Sequence, residues 1–184
     1  RDFTINGMFF DPFGGELIDC VGGREDLATG TIRAIGDPEE RLAEDYLRLL
    51  RTVRFAARLD FSIEPATFAA LRTHAGRITE VSAERIRAEL TLLLIEGGAV
   101  RGLKLLDQSG LLTVLLPEVA AMRGVEQPPE FHPEGDVWTH VQGLFEHLDA
   151  PGSNLAWSAL LHDIGKPPTF KVEDRIRFNS HDVV

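Results

Sequence analysis

Cysteine is almost missing from this chain. Cys20 is the single one in 184 residues, so no internal disulfide can form. That scarcity points to a reducing, cytoplasmic setting. Long apolar runs are missing too. No stretch reaches the roughly 18 residues that a membrane span requires, and no signal or transit pattern occurs. Internal repeats and low-complexity segments are absent. So is an excess of positive charge: the net charge is −10, which excludes a protein coated in nucleic acid over its whole surface.

What is present is an ordinary globular composition, with 43% hydrophobic and 26% charged residues. The length suffices to bury a core, as one large domain or two to three small ones. Charge is distributed unevenly. Residues 1–40 carry 3 basic and 9 acidic side chains, a balance of −6. Residues 41–104 carry 11 and 8, a balance of +3, and residues 105–184 carry 5 and 12, a balance of −7. A basic middle between acidic ends can meet a phosphate-rich ligand locally. The chain starts at Arg1, on what reads as the middle of a strand, and ends in an apolar stretch at Val184. We therefore expect a piece of a longer protein.

Strand-like runs occupy 3–10 and 17–21, joined by the turn DPFGG at 11–15, so a hairpin is expected. TIRAIG, 31–36, reads as a third strand. At Asp37-Pro38 the period changes. An N-cap followed by proline at the first helical position predicts a helix that runs through Leu59. Helices are also predicted at 65–75, 82–96, 98–109, 136–149 and 154–165. Ser82 and Glu84 open the second of these. Gly97-Gly98 and Gly110 break the pattern. GVEQPPEFHPEGD, 124–136, reads as a linker.

Within EDYLRLLRTVRFAARL, 44–59, arginines recur at 48, 51, 54 and 58, the period of one helix face. Leu49, Leu50, Val53, Ala56 and Ala57 fall on the other. The helix is expected to pack on one side and present guanidinium groups on the other. One reading is a solvated face, supported by Glu44 four residues before Arg48 in the favourable order for an ion pair. A second reading pairs Asp45 with Arg48, one turn apart. A carboxylate accepts hydrogen bonds and a guanidinium donates them. Cytosine and adenine offer an amine donor beside a ring-nitrogen acceptor; uracil and guanine offer the reverse. Such a pair accepts C and A and rejects U and G, because the wrong base leaves buried polar groups unpaired. Arg51 and Arg54 then meet base or triphosphate.

RDFTIN (1–6), DPFGGELIDCVGGREDLATGTIRAIG, EDYLRLLRTVRFAARLDF and VSAERIRAEL (81–90) together resemble the class II tRNA nucleotidyltransferases, with the bacterial poly(A) polymerases. The resemblance runs through the chain up to the linker. It implies that Arg1, Asp2 and Asn6 hold the triphosphate and sugar of an incoming nucleotide. It implies that Glu44, Asp45, Arg48 and Arg51 form a protein template selecting C or A. Tyr46 departs from the proline frequent at that place in the family. Nucleotidyl transfer by two metal ions needs closely placed carboxylates, which the family supplies as an Asp-x-Asp pair before RDFTIN. No two aspartates here are two apart. Asp11 and Asp19 suit turns and strand ends instead.

Towards the C-terminus, His140 falls in a helical pattern and HDIGKP supplies His162, Asp163 and Lys166. Imidazole and carboxylate suit divalent metals. HDIGKP also suits a helix end, with Gly165 as cap and Pro167 as stop. The set resembles the HD superfamily of metal-dependent phosphohydrolases. By that resemblance His140, His162 and Asp163 are ligands of Mg, Mn, Ni or another divalent metal that activates water, Lys166 contacts phosphate, and His181 is a further ligand. His74, His132 and His147 read as ordinary residues.

The expected fold is mainly α. It comprises a remnant of an α/β nucleotidyltransferase head (1–37), a helical neck for base recognition and RNA binding (38–123), and a linker with the start of an α-helical HD domain (124–184). The expected parent transfers CMP or AMP from CTP or ATP to the 3′ end of tRNA or another RNA with Mg2+, as a CCA-adding enzyme or a poly(A) polymerase. The alternatives are an HD-type phosphohydrolase as the main activity, or a nucleotide- or RNA-binding module without turnover.

Overall fold

A computed structural model describes the chain except Pro129, Phe131, His132, Glu134, Glu173, Asp174, Arg175 and Val184. The expectation for His132 therefore lies outside the described residues. Near the N-terminus, Phe3 donates its N–H to Asn6 Oδ1 at 3.1 Å. This local bond closes a 3-10 turn over Thr4–Asn6, where a strand was expected. The hairpin is confined to β1 (Phe9–Asp11) and β2 (Glu16–Ile18), antiparallel with Phe10 opposite Leu17. Asp19 accepts the N–H groups of Gly23 and Arg24 at 3.0 and 2.9 Å and so starts α1 (Gly23–Thr29), a helix the sequence reading missed. The expected third strand shrinks to β3 (Thr31–Ile32). It pairs in parallel with β4 (Ser62–Ile63), which lies beyond the arginine helix.

Asp37 caps α2 (Pro38–Ala43) by accepting the Glu40 N–H at 3.1 Å, a bond worth about 1 kcal/mol. The predicted helix 38–59 is interrupted after Ala43. Asp45 Oδ1 accepts the Leu47 N–H at 3.1 Å, and the Arg48 N–H bonds to Asp45 O at 2.9 Å. The backbone ladder restarts there, and α3 spans Leu47–Leu59. α4 (Pro65–His74) continues into a 3-10 segment, Ala75–Glu80. Then come α5 (Ala83–Ile95), α6 (Ala99–Ser109), α7 (Leu111–Leu115) and α8 (Pro117–Ala120). Asp136 caps α9 (Val137–His147), accepting the Thr139 N–H at 2.8 Å. α10 (Ser153–Leu161) and α11 (Lys166–Thr169) follow. Gly165 has φ −80° and is no left-handed cap, and Pro167 sits inside the first turn of α11 instead of stopping a helix. A second hairpin, β5 (Phe170–Val172) with β6 (Ile176–Phe178), was not anticipated.

The apolar face of α3 behaves as its period predicts: Leu49, Leu50, Val53, Ala56 and Ala57 are buried. The larger core runs from Leu42 to Leu160 and includes Trp138, Val141 and Phe145 of α9. The helices after the linker thus share one core with those before it. Each large side chain buried there contributes about 1.5–3 kcal/mol. A smaller cluster of Phe3, Ile32 and Ala56 fastens residues 1–34 to α3. Gly98 holds the left-handed conformation at φ 74°, and a Cβ there would collide with the backbone of Ala57. Only glycine lets α6 start this close to the end of α3.

Candidate functional site

The arginines of α3 divide into two sets. Arg48 donates from Nε to Asp2 Oδ1 at 3.0 Å and from Nη1 to Glu44 Oε2 at 2.6 Å. Arg51 donates from Nε to Asp2 Oδ2 at 2.7 Å. One carboxylate thus holds both guanidinium groups. Arg54 turns away. It donates from Nε to Glu89 at 2.7 Å and from Nη1 to Glu96 at 2.8 Å, and it is only 6% exposed. Arg58 meets the same Glu96 at 3.2 Å. The expectation that the whole row faces outward is corrected at Arg54, because Glu89 of α5 and Glu96, which follows it as C-cap, lie against it. The Glu44–Arg48 pair is present as the spacing predicts.

Asp45 and Arg48 do not pair with each other. Asp45 Oδ2 accepts from Arg85 Nη2 at 2.8 Å, while Oδ1 takes the Leu47 N–H. Partial burial pushes the Asp45 carboxyl up, but the Arg85 and Leu47 hydrogen bonds outweigh it and hold the group below the usual carboxylate range. Glu44 is likewise held low, by Arg48 and then Arg41. Beside Asp45 lies a hollow of about 400 Å³ lined by Glu44, Tyr46, Glu80, Ser82 and Arg85. That volume falls in the range of small-molecule pockets. Of the other nucleotide-site candidates, Arg1 is exposed, and Asn6 uses its side-chain oxygen to close the Phe3 turn. Glu89 and Glu96 were not singled out from the sequence, and Arg85 was read there only as part of a helix start. The i, i+4 spacing of Arg85 and Glu89 in ERIRAEL was the local signal for those two, and Glu96 had none.

A second cluster joins α9 to the end of α10. Ligand atoms of His140, His162 and Asp163 lie within 4.8 Å of one another. The two imidazole rings are 5.6 Å apart. His162 Nδ1 faces Ala159 O at 3.0 Å and Nε2 lies 3.1 Å from Asp163 Oδ2, so the charged imidazole donates at both nitrogens, and loss of the Nε2 proton frees that lone pair for a cation. Asp163 is 3% exposed. Burial pushes its carboxyl up, yet His162 and Lys166 hold it down at about 2. The Asp163 hydrogen bond raises His162 in turn. This donor set suits a divalent metal.

Lys166 is buried, with Nζ 2.7 Å from Asp163 Oδ2 and 2.7 Å from Gln127 Oε1. It is spent on those partners rather than displayed to solvent. Gln127, buried and from the linker, was not anticipated. His181 lies outside the three-residue cluster among the described residues; its Nδ1 faces Phe178 O at 2.9 Å. His147 Nδ1 faces Gly143 O at 2.8 Å, and His74 pairs with Glu39 at 2.6 Å.

The class this fold defines is a mainly helical chain whose small N-terminal α/β part is clamped through Asp2 to an arginine-bearing helix. Comparison with known proteins agrees. Residues 1–33 match the family described as poly A polymerase head domain, and residues 60–123 match the probable RNA and SrmB-binding site of polymerase A. The multifunctional CCA protein of Aromatoleum aromaticum is 42% identical over 92% of this chain and 42% of its own length. That of Neisseria meningitidis serogroup C is 40% identical over 92% of this chain and 40% of its own length. Among solved structures, the Bacillus stearothermophilus CCA-adding enzyme in complex with CTP aligns with a TM-score of 0.61 at 38% identity, over 67% of this chain and 32% of that one. The Thermotoga maritima CCA-adding enzyme complexed with tRNA aligns with a TM-score of 0.60 at 27% identity, over 88% and 42%. The chain belongs to the family of class II tRNA nucleotidyltransferases and poly(A) polymerases. It spans about two fifths of the length of these curated relatives.

Proposed function

We propose that the protein containing this chain adds C and A from CTP and ATP to RNA 3′ ends, tRNA above all, in the cytoplasm. The 3′ hydroxyl attacks the α-phosphate and pyrophosphate leaves. In this reading residues 1–37 complete the head, residues 38–123 form the neck that selects the base and holds RNA, and residues 124–184 begin an HD domain. The observation that carries it is the joint between α2 and α3. Asp45 brings an acceptor, and Arg48 brings donors one turn on, beside a head carboxylate that orients Arg48 and Arg51.

Asp45 is held by Arg85 in the free protein. The exocyclic amine of C or A donates to Asp45 in place of that guanidinium, and Arg48 donates to the neighbouring ring nitrogen. U and G put an acceptor against the carboxylate, at a cost of about 1–3 kcal/mol. Arg1, Asn6 and Glu44 border the same site in this reading, and Arg54 supports it from within the neck.

The family implies divalent metal, Mg2+ in this reading, for transfer. The residues present here do not fit that metal: Asp2, the carboxylate between Arg48 and Arg51, gives both oxygens to guanidinium groups, and no Asp-x-Asp occurs in this chain. His140, His162 and Asp163 do fit a divalent metal, of which Mg, Mn and Ni are the candidates. Such a metal supplies an activated water for hydrolysis of phosphate esters. That cluster favours phosphohydrolysis as a second activity, with Lys166 orienting Asp163 and His181 nearby in sequence.

Calorimetry with CTP, ATP, UTP and GTP tests the template. Binding of CTP and ATP alone, lost in Asp45→Ala, is the expected result. Equal binding of all four, unchanged by the substitution, overturns it.

A further inference from the structure

The joint that carries Asp45 owes little to its own backbone. Glu44 and Tyr46 both have helical dihedral angles, φ −64° and −63°, so no left-handed residue or proline locks the break. Tyr46 occupies the cap position of α3 but makes no side-chain capping bond. Its ring does something else. The Arg77 guanidinium carbon sits 4.9 Å from the ring centroid, and the His74 ring lies 5.7 Å away at 46°. Both neighbours are themselves tied down. His74 Nε2 is 2.6 Å from Glu39 on α2, and Arg77 pairs with Glu80. The ring also packs on the main core. Three elements therefore converge on Tyr46: α2 through Glu39, the end of α4 through His74, and the 3-10 segment through Arg77.

We infer that Tyr46 is a positioning residue for base selection, fixing the joint so that the adjacent Asp45 carboxylate keeps one direction. This deepens the template reading above and rests on it. The chemistry is specific to an aromatic face. A guanidinium over a ring is attracted by its quadrupole, and an aliphatic side chain of similar bulk offers none. Among the described residues the Asp45 carboxylate is held by two hydrogen bonds, from the Leu47 N–H on its own joint and from Arg85 on α5. With the ring removed, the first of those donors moves. The carboxylate then points variably and loses its preference between donor and acceptor edges. Tyr46 and Asp45 both line the 400 Å³ hollow.

The test compares Tyr46→Phe, Tyr46→Leu and Tyr46→Ala with wild type and Asp45→Ala in the full-length protein. The readout is the ratio of affinities for CTP over UTP and for ATP over GTP, which does not depend on the fraction of protein folded. Tyr46→Phe keeps the ring and is expected to stay within about twofold of wild type. Tyr46→Leu and Tyr46→Ala are expected to lower both ratios by about tenfold, as a loss of around 1.4 kcal/mol would. Arg77→Leu, which leaves Tyr46 in place, is expected to move the ratios the same way by a smaller factor. Unchanged ratios in Tyr46→Ala, with Asp45→Ala abolishing selection, overturn this inference and leave the template standing. Unchanged ratios in Asp45→Ala overturn both. Equal loss in Tyr46→Phe and Tyr46→Ala also overturns the inference, since it assigns the effect to the hydroxyl.

Discussion

Arg48 Nε lies 3.0 Å from Asp2 Oδ1, across a sequence separation of 46 residues. The second oxygen of the same carboxylate takes Arg51 Nε at 2.7 Å. Asp2 is therefore where the head grips the neck. A carboxylate that satisfies two guanidinium groups aligns both, and its removal takes one partner from each of two partly buried cations. Arg48 retains Glu44, and Arg51 retains Glu89 at 3.4 Å. Asp2→Ala is expected to cost about 1.5–3 kcal/mol in urea unfolding, the range for hydrogen bonds to charged groups. It is also expected to weaken nucleotide binding and to lower the preference for C and A, though less than Asp45→Ala does, because Asp2 orients Arg48 while Asp45 is untouched.

Glu89 and Glu96 make a sharper comparison. Glu89 is 7% exposed and holds the buried Arg54 through Nε, whereas the Glu96 side chain is 25% exposed. Removing one partner of a buried pair leaves an uncompensated charge, typically costing about 3–5 kcal/mol. Glu89→Ala is expected near that range. Glu96→Ala is expected below about 2 kcal/mol, since water reaches its position and Arg54 keeps Glu89. Chemical denaturation of the two variants checks the order; a larger loss in Glu96→Ala would contradict the burial argument.

What could be read from the sequence followed how local each cause was. Asp37-Pro38 declares a helix start because the cap bond spans three residues. The buried face of α3 follows from period alone. The break at Asp45 was not legible: the joint is built by its own side-chain bond to Leu47 together with a partner 40 residues away, Arg85. Residues 3–8 carry strand-like composition, yet the Asn6 bond closes a 3-10 turn over Thr4–Asn6 in their midst. The burial of Arg54 depends on glutamates 35 and 42 residues away, which no periodicity reveals. The meeting of His140 with His162 and Asp163 required α9 to pack beside α10. The residue types suggested the chemistry, and only the fold decided that Lys166 faces Asp163 while His181 stays apart.

Gly98 tests the close approach of α3 and α6. Its positive φ and the collision of any Cβ with Ala57 act together. Gly98→Ala is expected to destabilise by about 2 kcal/mol or more, and Gly97→Ala, whose Cβ meets nothing within 4 Å but whose φ is 95°, by less. Thermal unfolding of both variants distinguishes steric contact from backbone strain. Equal losses would assign the whole cost to the left-handed conformation.

The pair of His162 and Asp163 sets a pH window in metal-free protein. Asp163 falls from the ordinary 3.8 to about 2, so its contribution is fully present above 3.8 and disappears as pH falls through about 2. That shift corresponds to on the order of 2 kcal/mol. His162 is raised above 6.5, so its contribution is fully present below 6.5 and fades as pH rises through the folded value. Stability from the pair is therefore greatest between about pH 4 and 6.5. Asp163→Asn removes the charge that raises His162, and the NMR titration midpoint of His162 is expected to drop below its wild-type value. A bound divalent metal needs the same His162 nitrogen unprotonated, so it should push that midpoint down as well. Adding Mn2+ or Ni2+ near pH 7 is expected to release protons and to raise the melting temperature in wild type, but to do neither in His162→Ala. If His162→Ala keeps both responses, the metal lies elsewhere and the cluster is only an ion-pair network between the end of α10 and the start of α11.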